Sequence, residues 1–160
     1  MEYLFQIGDK VFYPMHGAGI IKAIEQKEIL GTTQEYCSIT IPLNNMDVMI
    51  PLLKMEQLGV RSIIDINTLN HILFDFQNGK PNSSLPWKER YNINLKKIRT
   101  GDMHDSTEVI RDLLYRSQEK SLNSTEKQML HQAQRQVISE LVLVKNITEN
   151  QAADLLTLSS

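Results

Sequence analysis

One cysteine, one tryptophan and no long apolar run set the first limits on this 160-residue chain. A single thiol, Cys37, cannot close an internal disulfide, and the strand-like run around it, EYCSITI, suits a small buried hydrophobe. No basic side chain adjoins it in sequence to depress its pKa, which argues against a reactive thiol. No segment approaches the roughly 20 apolar residues of a bilayer span, and the opening MEYLFQIGDK lacks the cationic and apolar regions of a secretion signal. The expectation is a cytoplasmic protein with no membrane partner. Charge of either sign is also in short supply: 17 Lys and Arg against 19 Asp and Glu leave −2, which excludes wholesale coating of nucleic acid but leaves scope for a local basic surface.

The spacings that enzymes need are missing too. His16, His71, His104 and His131 form no HxxxH or HExxH pair, and one cysteine cannot anchor a thiolate zinc site. The glycine-rich MHGAG at 15–19 lacks GxGxxG or GxxxxGK and follows a strand pattern with no helix after it, so it reads as a turn. Asp102, Asp105 and Glu108 are acids at a helix start, where opposing the macrodipole is explanation enough. The Asn-x-Ser/Thr triplets at 82, 123 and 146 carry no weight without secretion. A non-enzymatic protein is expected, with no metal, no cofactor and no small-molecule ligand.

What is present divides into two grammars within a globular composition of 41% apolar residues. Residues 1–62 read as strands, IGDKVFYP, GAGIIKAIEQKEI, TTQEYCSITIP and MDVMIP, separated by MHG, LG and LNN turn signals. In the last of these Met46, Val48 and Ile50 alternate with Asp47 and Met49, the period-two pattern of a half-buried antiparallel strand, and Pro51 marks its end. A module of this size buries only about 60% of its unfolded surface, which predicts a tight five-stranded barrel with little interior room. Residues 63–160 carry helical periodicity instead. Segments are expected at about 63–77, 87–99, 105–119, 124–145 and a short one opened by Thr148-Glu149-Asn150-Gln151, with Gly101 closing the second. The fold class is therefore α+β, a small antiparallel β-barrel followed by an all-helical bundle.

Charge is balanced in each half, 5 Lys and Arg against 7 Asp and Glu over 1–62 and 12 against 12 over 63–160. The exception is local. Within SLPWKERYNINLKKIR at 84–99, Lys88, Arg90, Lys96, Lys97 and Arg99 surround Trp87 with only Glu89 opposed. A lone tryptophan is ordinarily a core residue, and lysines and arginines ordinarily line a solvated helix face. The sharper reading uses Pro86, which holds the approach extended, so that the indole projects as an apolar wedge among phosphate-binding cations. Forcing a side chain into a base step costs a few kcal/mol of unstacking, so such a wedge favours DNA that is already opened.

The string Gly8-Asp9-Lys10-Val11-Phe12-Tyr13-Pro14-Met15-His16-Gly17-Ala18-Gly19, followed by Gly31, Tyr36, Met46, Val48, Ile50-Pro51 and Gly59-Val60-Arg61, resembles the CarD/CdnL-type bacterial transcription regulators. The resemblance extends over the helical half through Trp87-Lys88-Glu89-Arg90-Tyr91, Leu95, Lys97, Thr100-Gly101-Asp102, residues 109–113 and Glu126-Lys127 with Met129-Leu130. The β half alone also resembles the polymerase-interacting module of the transcription-repair coupling factor; no helicase motor accompanies it here. The resemblance implies a Tudor-like or SH3-like domain over 1–62 that binds the β subunit of RNA polymerase, and a domain over 63–160 that contacts promoter DNA in the minor groove at the upstream edge of the transcription bubble. Trp87 would be the wedge, with Lys88, Arg90, Lys96, Lys97 and Arg99 on phosphates. Lys27, Met49, Ile50 and Pro51 would face polymerase. The chain departs from the family where relatives use arginine, at Lys27 and Met49, and where a basic residue is expected, at Asn92. Lys27 keeps the charge without the planar fork, and Met49 keeps neither.

Together these features imply a regulator that stabilises the open promoter complex and is associated with the nucleoid through RNA polymerase. The rival expectation is a protein–protein adaptor in which the bundle docks another protein and Trp87 is buried.

Overall fold

The computed structural model describes residues 5–81 and 85–158; the polar triplet at 82–84, with the first glycosylation-like sequence, lies outside the described residues. Five antiparallel strands come first: β1 (Lys10–Tyr13), β2 (Gly17–Ile29), β3 (Thr32–Ile41), β4 (Met46–Pro51) and β5 (Arg61–Ser62). Their order in the sheet is β4-β3-β2-β1-β5. The predicted closure into a barrel is not made: among the described residues β4 and β5 stay unpaired with each other, because β5 offers only two residues and both are matched to Val11 and Phe12 of β1. A register shift between Ile21 and Ala23 leaves Lys22 as the extra residue of a bulge, which bends the long β2.

The alternation seen in β4 is realised on Val48 and Ile50, which face the core with Val11, Ile21, Cys37, Ile39, Ile41 and Met55; Met46, at the strand end, is exposed. Cys37 is fully buried there, and burial, followed by the charge of Asp9, pushes its thiol up to about 11. It is the inert core residue that its surroundings in sequence suggested.

Five helices follow: α1 (Ile66–Asn78), α2 (Trp87–Arg99), α3 (Met103–Glu119), α4 (Ser124–Lys145) and α5 (Glu149–Leu155). Their starts are set by caps. The side chain of Asp65 accepts from the Thr68 amide, so α1 begins three residues later than the apolar pattern alone suggested. Asn123 caps α4 by accepting from the Glu126 amide at 2.9 Å. Thr148 and Gln151, at the ends of the tetrapeptide expected to open α5, form a reciprocal capping box. The apolar faces meet in a second core built on Leu69, Phe76, Ile98, Ile110, Leu113, Val137 and Leu141.

The two cores are joined through a polar seam. Arg61 of β5 makes a two-pronged ion pair with Glu140 of α4, at 2.7 and 2.8 Å, while Nε and Nη2 also donate to the Gly101 carbonyl at 3.0 and 2.8 Å. The guanidinium carbon sits 4.7 Å from the centre of the Phe12 ring. Glu140 is 1% exposed, so its charge survives burial only because Arg61 and the Ile64 amide satisfy it. Gly101 is the one residue type its place admits. Its φ is +73°, and a Cβ there would lie 2.6 Å from Cγ of Pro14. Along α4, Ser139 accepts from the Ala18 amide at 2.9 Å and Arg135 reaches Asn44 Oδ1 at 2.9 Å, extending the seam.

Candidate nucleic-acid interface

Trp87 is the first residue of α2, with Pro86 as its N-cap at φ −55° and ψ 151°. The proline ring cannot enter the helix from that geometry, so the chain arrives extended and turns abruptly. Trp87 is 42% exposed and belongs to neither core. Among the described residues no side chain caps this helix start, so the amides of Trp87, Lys88 and Glu89 present the positive end of the dipole beside the indole.

The five cations of α2 split between two flanks. Lys88, Asn92, Lys96 and Arg99 recur at helical spacing on one side, all exposed, and among the described residues Lys88, Lys96 and Arg99 have no ion-pair partner. Arg90 and Lys97 point the other way. Arg90 leaves the expected set of phosphate contacts: Nε and Nη2 bind the two carboxylate oxygens of Glu126 at 2.9 and 2.8 Å, and Nη1 donates to the Leu85 carbonyl at 3.0 Å. Glu126 is 2% exposed, and a carboxylate so desolvated needs that guanidinium as its counterion. Arg90 thus fastens the segment before Trp87 to α4. Lys97 bonds Glu108 at 2.9 Å. Burial alone would raise the Glu108 pKa, but Lys97 first, then His104 and Arg111, hold the carboxyl below its ordinary range.

On the sheet, the pairing rows Met49↔Ser38, Pro51↔Tyr36 and Lys27↔Gln34 place Met49, Pro51 and Lys27 on the outer face. Ile50 does not join them: it occupies the opposite parity and is 4% exposed, a core side chain of which only the backbone remains available. β4 is an edge strand, and Met49 is exposed on it. Asp102, His104 and Asp105 bring ligand atoms within 4.8 Å of one another, yet Asp105 already accepts from Thr100 Oγ1 at 3.0 Å and His104 lies between Asp75 and Glu108. That cluster reads as the acidic start of α3. No helix among the described residues is long and apolar enough to cross a membrane.

Comparison with known proteins follows the same division. Residues 5–64 match the family model of the CarD-like/TRCF RID domain and residues 71–157 that of the CarD C-terminal domain. A Bacillus subtilis (strain 168) protein named as a candidate transcription factor, YdeB, is 50% identical over 148 residues, covering 92% of this chain and 97% of that protein. The solution structure of the 72-residue N-terminal domain of Myxococcus xanthus CarD is 29% identical over 39% of this chain and 83% of that domain, with a TM-score of 0.33. With both domain types present in order and a near full-length relative at that identity, the chain belongs to the CarD family of transcription factors.

Proposed function

We propose that the protein is a non-enzymatic regulator that binds the β subunit of RNA polymerase through the β4 edge and its outer face, and stabilises the open promoter complex by inserting Trp87 at the upstream edge of the bubble. The single observation that carries this reading is the exposed indole at a helix start that, among the described residues, has no side-chain cap and is flanked by Lys88, Lys96 and Arg99 without ion-pair partners. Phosphates meet the cations and the helix dipole, while the apolar ring replaces the stacking lost where strands part. Polymerase is engaged by main-chain pairing along β4, with Lys27, Met49 and Pro51 supplying the side-chain contacts beside it.

The effect is a shift of population rather than a reaction. A factor that favours the unwound state by about 1.4 kcal/mol changes the closed-to-open ratio tenfold. Each contact can be weak, because tethering to polymerase raises the local concentration of the other. A net charge of −2 is then no obstacle to acting on DNA. In a promoter-complex assay with purified polymerase, Trp87→Ala is expected to shorten the open-complex lifetime about tenfold; an unchanged lifetime would remove the wedge. The adaptor reading requires a buried indole, and iodide quenching of the sole tryptophan separates the two: strong quenching of the free protein supports the wedge.

A further inference from the structure

A cavity of about 360 Å³ lies between α2 and α3, lined in part by Leu85, Ile93, Asn94, Asp112, Tyr115 and Arg116. Neither the cationic stripe nor the β4 edge uses it. On α2 the lining residues 90, 93, 94 and 97 occupy the flank away from 88, 92, 96 and 99, so the cavity stays open while the stripe is engaged.

Asn94 is the anomaly that draws attention to this space. It is 4% exposed, and its Nδ2 has no hydrogen-bond partner, a state that costs folding energy which an apolar side chain of similar size would avoid. The amide lines a cavity instead of packing against one. Nearby, Asp112 is desolvated; burial raises its pKa, opposed by Arg111 Nε at 3.1 Å, so its carboxylate has acceptor capacity that a donor would satisfy. Arg90 and Lys97, also in the lining, are committed to Glu126 and Glu108. Arg116 has no ion-pair partner among the described residues. The lining therefore offers the Asn94 amide nitrogen as a donor, the half-buried Asp112 carboxylate and the exposed Glu119 carboxylate as acceptors, apolar and aromatic walls, and the Arg116 guanidinium, unpaired among the described residues.

We propose that this cavity binds a guanine mononucleotide, with Asn94 donating to the base, Asp112 accepting from it and Arg116 taking the phosphate. Guanine carries adjacent acceptors at O6 and N7 and adjacent donors at N1 and N2, whereas adenine has no second donor for a carboxylate to take. Leu85, Ile93 and Tyr115 enclose a planar ring. The volume, at the low end for ligand sites, fits a mononucleotide better than a dinucleotide. Because the cavity sits on the far flank of the helix that starts at Trp87, its occupant would act on the protein without competing for DNA.

The test uses the isolated full chain, so its outcome does not depend on polymerase or promoter. GMP is expected to raise the melting temperature saturably, by about 3 °C or more at ten times its Kd, with AMP at least tenfold weaker and inorganic phosphate without effect at equal concentration. Asn94→Leu should abolish the GMP response, and Asp112→Asn should remove the preference over AMP. If Asn94→Leu does not fold, Arg116→Ser, a change at a half-buried position, takes its place and should weaken GMP at least tenfold. No shift with GMP, an equal shift with AMP or phosphate, or a shift unaltered in these variants would overturn the proposal.

Discussion

On one flank of α2, Arg90 and Lys97 are ion-paired and serve the fold; on the other, Lys88, Lys96 and Arg99 are exposed and, among the described residues, unpaired. The residue types are the same and the positions interleave within thirteen residues. What separates them is the partner that the third dimension supplies. A buried carboxylate claims the cation nearest to it, and only cations without one remain for a ligand. A basic cluster in sequence is thus an upper bound on a basic surface, and here two of the five residues leave it.

The largest effect that would break this contrast comes from the inner flank. Glu126→Ala strands Arg90 at a site where it is only 11% exposed, and calorimetry should find a loss of about 3–5 kcal/mol in unfolding free energy. The same variant loosens the guanidinium that holds the segment before Trp87, so Trp87 emission should change in the protein that remains folded. The outer flank should respond in the opposite sense. Replacing Lys88, Lys96 and Arg99 by alanine is expected to alter stability by no more than about 0.5 kcal/mol each. In polymerase-bound promoter complexes, the slope of log affinity against log salt should instead fall by about 0.9 for each cation that contacts phosphate. An unchanged slope would assign the stripe to solvation alone. The smallest effect concerns Lys97 and Glu108. The folded-state pKa of Glu108 lies below its ordinary 4.5, so its contribution is complete above that value and lost as pH falls through the lower one. Wild-type protein should lose more stability between pH 5 and about pH 3 than Glu108→Gln, measured by urea unfolding.

Local features of the chain were legible in its sequence. The strands, the helices, the C′ glycine after α2 and the capping box of α5 follow from period, turn chemistry and neighbours within four residues. Trp87 also starts its helix directly after Pro86, as the sequence suggested, and is exposed there. Barrel closure was not legible, because it depends on β5 having enough residues to reach β4, and Arg61–Ser62 is too short. Ile50 shows how parity corrects a resemblance: its neighbours Met49 and Pro51 face outward, and a residue between them in a strand must face in. The roles of Arg90 and Arg61 were hidden because their carboxylate partners lie 36 and 79 positions away. Glu126 and Glu140 are both buried, and nothing within a few residues of either marks it so. Asn94 was equally silent, an asparagine in a helix whose surroundings only the packed α2 and α3 define.

The Arg61 junction has a mechanical consequence. Its planar fork is filled by Glu140 and Gly101, and its face rests on Phe12, so sheet and helices are clasped at a point where a flexible joint would otherwise fall. The molecule is then a caliper with a set opening. If polymerase grips one jaw and DNA meets the other, as proposed, the point of contact is chosen by distance along the promoter, with base sequence having little say.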